Sequence, residues 1–170
     1  MKAVLNPIKT GFFSLGIISH KLLRWFAFSA SLIPSVLTLV LWSAFDPNKT
    51  GFQFQEIYPW YEALNSSLHL GVDGISISMV LLTTLLTPLA ILASFSVTDR
   101  VKPYMMLFLF LETGMLGVFM ALDLLIFFVF WEIGLVPMYF LINQWGSANK
   151  DYASLKFMIY TMGGSLGLLL

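Results

Sequence analysis

Cysteine is absent from the 170 residues, and charge is scarce. Without thiolates the chain supplies neither disulfides nor cysteine ligands for an iron–sulfur cluster or structural zinc. Cysteine usage therefore says nothing about the redox compartment. Only two histidines occur, His20 and His69, and neither lies in an apolar run of spanning length. A membrane-embedded bis-histidine haem site within this chain alone is excluded. Nine basic and nine acidic residues give a formal net charge of zero, which argues against nucleic acid, a partner that demands a basic surface. Charged residues make up 11% of the sequence, against about a quarter in soluble domains. Apolar residues fill the space: 58% of the chain is hydrophobic and the mean hydropathy is +0.85. This is the composition of an integral membrane protein. No strand-linked glycine-rich turn for a nicotinamide or flavin is present, because Gly163-Gly164-Ser165-Leu166-Gly167 lies in an apolar helical run. No quinone or metal site can be defended either.

Residues 1–23 mix Lys2, Lys9, His20 and Lys21 with short apolar patches and read as a basic amino-terminal lead, cytoplasmic or interfacial. A secretory signal needs one apolar region and a small-residue cleavage site, and Lys9, His20, Lys21 and Arg24 interrupt it. Residues 24–170 form the transmembrane part. The first span is expected at about 25–45, with Trp25 and Trp42 as interfacial aromatics and Pro34 inside it. Residues 46–74 are polar and turn-rich and read as a long surface loop. Alternation in Phe52-Gln53-Phe54-Gln55 hints at a short strand. The second span covers about 75–97 and holds Thr83, Thr84, Thr87 and Pro88. Proline removes the hydrogen bond to the Thr84 carbonyl, and the threonine hydroxyls are expected to compensate in a local bend. A short basic loop with Asp99, Arg100, Lys102 and Pro103 follows.

From Tyr104 to Ile142 run 39 residues with only three charges, Glu112, Asp123 and Glu132. One helix of that length would be roughly 58 Å, nearly twice a ~30 Å hydrocarbon core. The run must fold back, with Asp123 as turn and helix cap, giving spans at 104–122 and 124–142. Glu112 and Glu132 then sit at similar depth on adjacent antiparallel helices. Residues 143–154 read as a polar loop. A last apolar run, 157–170, is the start of a fifth span. Its Gly163 and Gly167 form a small-residue pair that favours close helix contact. The expected fold is an all-α membrane protein of four complete transmembrane helices plus the start of a fifth.

Basic residues are distributed unevenly. Lys2, Lys9, Lys21, Arg24, Arg100, Lys102, Lys150 and Lys156 fall on one side of this topology and Lys49 alone on the other. The positive-inside rule then puts the amino terminus on the cytoplasmic or stromal side.

The candidate site residues are the two intramembrane acids. An ionised carboxylate in hydrocarbon costs roughly 2.5–3.5 kcal/mol on insertion scales, so acids at that depth face protein or a water path. Glu132 reads as a proton carrier. On its own helix, Phe128, Val129, Leu135, Val136 and Tyr139 share its face, and none is cationic. The alternative is a protonated acid that pins two helices together. The rarity of intramembrane acids outside ion pathways favours proton transfer. Glu112 follows the same logic, with pairing to the Glu132 helix as its alternative. His69 and Asp73 read as solvated loop residues. Lys156 reads as a snorkelling side chain, with compensation of an acid as the alternative.

Four segments carry a resemblance: FFVFWEIGLVPMYFL (Phe127 to Leu141), LETGMLGVF (Leu111 to Phe119), LHLGVDGIS (Leu68 to Ser76) and KFMIYTMGGSLGLL (Lys156 to Leu169). They resemble the antiporter-like membrane subunit of respiratory complex I (subunit M, or subunit 4, of NADH–quinone oxidoreductase). In wording they are nearest the equivalent subunit of the photosynthetic NAD(P)H–plastoquinone oxidoreductase. Mrp-type cation/proton antiporter subunits are the related alternative. The resemblance implies proton translocation coupled to quinone reduction elsewhere in a complex, with NAD(P)H and quinone used by that complex and no cofactor in this chain. It implies other membrane subunits of the complex and the lipid bilayer as partners, in a bacterial plasma or thylakoid membrane. It makes Glu132 the essential carboxylate, working with a lysine on a later helix, and places Glu112 in the membrane. Family members have about fourteen spans, so the resemblance also implies a partial chain: a split subunit, a truncated gene model or an inactive fragment.

Overall fold

The computed structural model describes residues 6–61 and 66–169, with side chains for residues 20–60 and 66–168. Lys2, Glu62 and Leu170, and the side chain of Lys9, lie outside the described residues. The element order is α1 (Asn6–Ala44), β1 (Gln53–Tyr61), β2 (Ser66–Val72), α2 (Gly74–Ala93), α3 (Val101–Met120), α4 (Leu124–Trp145) and α5 (Lys150–Leu169). Among the described residues four segments are long and apolar enough to cross a membrane: His20–Ala44, Gly74–Ser96, Val101–Met120 and Leu124–Trp145. The protein is a multi-pass, mostly helical membrane protein.

Three elements differ from the sequence expectation. First, α1 runs unbroken through the boundary expected near residue 24 and spans 39 residues. Pro7 falls in its first turn, where a missing N–H costs nothing, and no other proline intervenes before Pro34. Second, the segment after α1 is a β-hairpin, an addition to the all-helical expectation. β1 and β2 are antiparallel, with Ile57 opposite His69 and Tyr58 opposite Leu68. The Phe52–Gln55 alternation thus caught only the start of a strand that extends to Tyr61. Two irregularities, between Gln53 and Glu56 and between Pro59 and Tyr61, break the period-two pattern. The first contains Phe54 at φ 53°, and the second contains a proline that cannot donate to a ladder. Third, α5 begins at Lys150, seven residues before the apolar run. Asn149 adopts φ 63°, and its carbonyl accepts from Ala153 N at 2.9 Å. Asp151 lies in the first turn, where a carboxylate favours the helix dipole. Asn143 Nδ2 donates to Asp151 Oδ1 (3.0 Å) and Ser154 Oγ (3.2 Å), tying the end of α4 to the start of α5.

The turn at Asp123 forms as expected. The Asp123 carboxylate accepts from Leu125 N (2.8 Å) and Ile126 N (3.1 Å), capping α4. The same carboxylate accepts from Ser66 Oγ (3.2 Å) and Ser67 N (3.4 Å), and Leu122 N donates to His69 O at 2.9 Å. The hairpin therefore clamps the α3–α4 turn. Asp73 is not a free loop residue either. It caps α2 in a reciprocal box, accepting from Ser76 N (2.7 Å) while Ser76 Oγ accepts from Asp73 N (2.8 Å). His69 Nε2 meets Gln55 Oε1 at 3.0 Å across the hairpin.

On the opposite side Arg24 donates from Nη2 to Val97 O at 2.7 Å and Trp145 Nε1 donates to Asp99 O at 3.0 Å. A small apolar cluster of Ala27, Ile91, Val101 and Met105 closes the α1–α2–α3 interface there.

Candidate functional site

The sequence places two acids at similar depth on adjacent antiparallel helices and leaves open the direction in which each points. The α3–α4 crossing decides it. A Cβ added to Gly114 would lie 2.8 Å from Gly134 Cα and 2.9 Å from its N, so the two backbones touch at this pair. Glu112 precedes Gly114 by two residues and Glu132 precedes Gly134 by two. Two residues turn a helix by about 200°. Each carboxyl is therefore swung to the far side of its helix from the contact. Because the helices are antiparallel, the acids also lie on opposite sides of the crossing level, about 6 Å apart along the axis at 1.5 Å per residue. They are near one depth, as the sequence indicated, but back to back.

Glu132 faces α5. Ser165 Oγ donates to Glu132 Oε1 at 2.7 Å, and Met162 O is the alternative acceptor of the same hydroxyl at 3.0 Å. Ser165 is buried and Glu132 half-buried. Beside the pair is a cleft of about 360 Å³ between α4 and α5, lined by Phe127, Trp131, Tyr160, Thr161 and Ser165 among others. Sequence reasoning missed Ser165. Its signal was available: it is the one hydroxyl in the small-residue run 163–167, where the glycines dominate the pattern. Among the described residues a Cβ at Gly163, Gly164 or Gly167 meets nothing within 4 Å, so the close contact expected at Gly163 and Gly167 is not made with any of them. The close approaches between α3 and α4 are Gly114 against Gly134 and Gly117 against the Phe130 ring.

Glu112 faces the other way. It lies seven residues, two full turns, beyond Met105, whose face packs on Ala27 of α1 and Ile91 of α2. It is 3% exposed, and its Oε1 is buried without a hydrogen-bond partner among the described residues. Its expected alternative, a direct pairing with the Glu132 helix, does not occur in this geometry.

Lys156, on α5, sits 5.7 Å from the Tyr152 ring centre and 5.6 Å from that of Tyr160. Its charge is held over aromatic faces on its own helix. Among the described residues, no group of three or more His, Cys, Asp or Glu side chains could hold a metal ion.

Residues 8–122 match the family model for NADH-ubiquinone oxidoreductase chain 4, amino terminus. The chain belongs to this family. Residues 121–170, which contain Glu132 and Ser165, match a second model, the NADH:quinone oxidoreductase/Mrp antiporter transmembrane family. The NADH-quinone oxidoreductase subunit M of Rhodobacter capsulatus is 46% identical over 143 residues, 84% of this chain and 28% of its own length. The NAD(P)H-quinone oxidoreductase chain 4 2 of Thermosynechococcus vestitus is 39% identical over 151 residues, 88% of this chain and 28% of its own. The chain thus spans between a quarter and a third of the length of these relatives. Respiratory complex I from Thermus thermophilus with bound NADH contains a chain that superposes with a TM-score of 0.75 at 25% identity, over 90% of this chain and 32% of that one. The Mrp complex from Dietzia sp. contains one with a TM-score of 0.74 at 20% identity, over 90% and 17%, a likeness of fold alone. The family resemblance read from the four segments is thereby borne out.

Proposed function

We propose that this chain is part of a proton-translocating membrane subunit of an NAD(P)H–quinone oxidoreductase, with Glu132 and Glu112 as its proton-transfer residues. The observation that carries the reading is the Ser165–Glu132 hydrogen bond. It holds a carboxyl in the apolar interior of α4, within the stretch that matches the NADH:quinone oxidoreductase/Mrp antiporter model. A carboxyl so placed can take and release a proton while the serine fixes the orientation of one oxygen. The chain contributes no redox centre in this reading. NAD(P)H and quinone are handled by other subunits of the complex, which are its partners together with the bilayer. The basic residues on the side opposite the hairpin support an amino terminus on the cytoplasmic or stromal side of a bacterial plasma or thylakoid membrane.

The test is redox-driven proton uptake by membrane vesicles that carry the assembled complex. Glu132→Gln is expected to lower the proton-to-electron ratio with NADH oxidation still measurable. An unchanged ratio would overturn the assignment. The match to a model shared with Mrp antiporters supports a second reading, cation/proton exchange without a redox partner. Sodium-dependent proton movement that ignores quinone inhibitors distinguishes it. An inert gene fragment is distinguished by the lack of any stable protein in membranes.

A further inference from the structure

The α1–α2–α3 interface is apolar at the end away from the hairpin and polar above it. From the cluster of Ala27, Ile91, Val101 and Met105, α1 continues on the same face through Ser31 and Ser35. On α2 the face runs back from Ile91 through Thr87 to Thr84, and on α3 it runs from Met105 to Glu112. All five of these polar residues are buried. At 1.5 Å per residue, Ser35, Thr84 and Glu112 lie about 10–12 Å beyond the cluster, on faces turned toward one another. One buried carboxyl thus shares a level with hydroxyls from two other helices.

The hydroxyl protons are already committed. Ser31 Oγ donates to Phe28 O (2.9 Å), Thr84 Oγ1 to Leu81 O (3.1 Å) and Thr87 Oγ1 to Thr83 O (2.9 Å). Ser35 Oγ is shared between Ser31 O and Thr84 O. None has a proton left for Glu112, yet each oxygen retains lone pairs that can accept. Glu112 Oε1 also accepts and has no partner among the described residues. An interface of acceptors is completed by a small molecule that donates twice, and buried polar atoms without protein partners are characteristic positions for ordered water.

We propose that this interface is a water-binding site. In it a water molecule donates one hydrogen to Glu112 Oε1 and the other to a hydroxyl oxygen of Thr84 or Thr87. Glu112 then has exchangeable contact with solvent protons in a compartment separated from Glu132 by the Gly114–Gly134 crossing. The site stands on hydrogen-bond supply and not on pumping, so it holds whether or not Glu132 moves protons.

Water-edited solid-state NMR of the full chain in lipid bilayers tests it, with carbon-13 in glutamate, threonine and isoleucine and Glu112→Gln to assign the carboxyl signal. Magnetisation from water is expected to reach the Glu112 carboxyl and the Thr84 and Thr87 side chains as fast as it reaches the exposed Glu56. It should reach Ile91 slowly. Thr84→Val combined with Thr87→Val should slow transfer to Glu112, and Thr84→Ser combined with Thr87→Ser should leave it fast. Unchanged transfer in the double valine variant would overturn the bridge to these hydroxyls. If Glu112 and both threonines receive magnetisation as slowly as Ile91 in the unmodified chain, the interface is dry and the proposal fails, whatever the variants do. Proton uptake is not part of this readout, so a failure here is separable from a failure of the Glu132 assignment.

Discussion

The hydroxyl of Ser35 on α1 donates to the carbonyl of Thr84 on α2, the acceptor that Pro88 leaves free four residues later. The sequence points to the threonine hydroxyls of α2 for this task. They are engaged elsewhere: Thr83 Oγ1 donates to Met79 O at 2.9 Å, and Thr84 and Thr87 bond to Leu81 and Thr83 carbonyls. The proline defect is thus completed between helices and joins α1 to α2. Ser35→Ala should destabilise the fold by about 1–3 kcal/mol, the range for stranding a buried polar group. Pro88→Ala returns an N–H to the Thr84 carbonyl, so Ser35→Ala should cost less in that background. A double-mutant cycle on unfolding in mixed micelles reads the coupling. Equal costs in both backgrounds would show that the serine does nothing for the freed carbonyl.

The Gly114–Gly134 contact is asymmetric in a way that a substitution can reveal. A Cβ on Gly114 would strike the Gly134 backbone, whereas a Cβ on Gly134 meets nothing within 4 Å among the described residues. Gly114→Ala should therefore force α3 and α4 apart and cost about 1–3 kcal/mol. Gly134→Ala should be neutral, or stabilising by up to about 1 kcal/mol through helix propensity. Comparing the unfolding midpoints of the two variants checks this. Equal destabilisation by both would mean that the helices do not cross at this pair.

Helix count, the Asp123 turn and the two acids were readable because each rests on a local rule: apolar run length, a polar break within it, and the cost of charge in hydrocarbon. The hairpin was legible only at Gln53–Gln55, since Phe54 at φ 53° and Pro59 interrupt the alternation that marks a strand. The relation between Glu112 and Glu132 was beyond linear reasoning. Depth follows from counting residues, but direction around the axis depends on where α3 touches α4, and Gly114 and Gly134 carry no side chain to announce it. Ser165 was hidden for a related reason. A serine among glycines reads as a small residue until the helix opposite is known to present an acid.

The Asp123 carboxylate joins two elements, α4 and β2, so its loss should exceed that of an ordinary cap. Replacing a capping aspartate by alanine costs about 0.5–2 kcal/mol, and Asp123→Ala also frees Ser66 and Ser67 of β2. A loss at the upper end of that range is expected, with hairpin amides exchanging faster with solvent. Desolvation pushes the Asp123 carboxyl up, but the Ile126, Leu125 and Ser67 amides and the Ser66 hydroxyl together hold it below its ordinary value. Asp73 is also held low, chiefly by the Ser76 amide. Groups with lowered folded values contribute stability that is complete above the unfolded value, near 3.9 for Asp, and lost as pH falls through the folded one. Stability, followed by unfolding from neutral pH down to acid, should thus fall only below about pH 4, and less steeply in Asp123→Asn. An identical acid limb in that variant would remove Asp123 from the account.

Ser165 separates a positioning role from a structural one at Glu132. Its hydroxyl can turn from Glu132 Oε1 to Met162 O with little movement, because both acceptors are within 3.0 Å. The carboxyl can therefore be released from the serine without unfolding α5. Losing one such hydrogen bond is worth about 1 kcal/mol, or roughly fivefold in a rate that depends on it. In vesicles carrying the assembled complex, Ser165→Ala should slow proton uptake by about that factor and leave the amount of assembled protein unchanged. Ser165→Thr keeps the hydroxyl and should restore the rate. Ser165→Ala in a Glu132→Gln background should have no additional effect, because the group it positions is gone. A further drop there would mean that Ser165 acts through helix packing, and the hydrogen bond would then be a consequence of the α4–α5 contact instead of a part of the proton-transfer device.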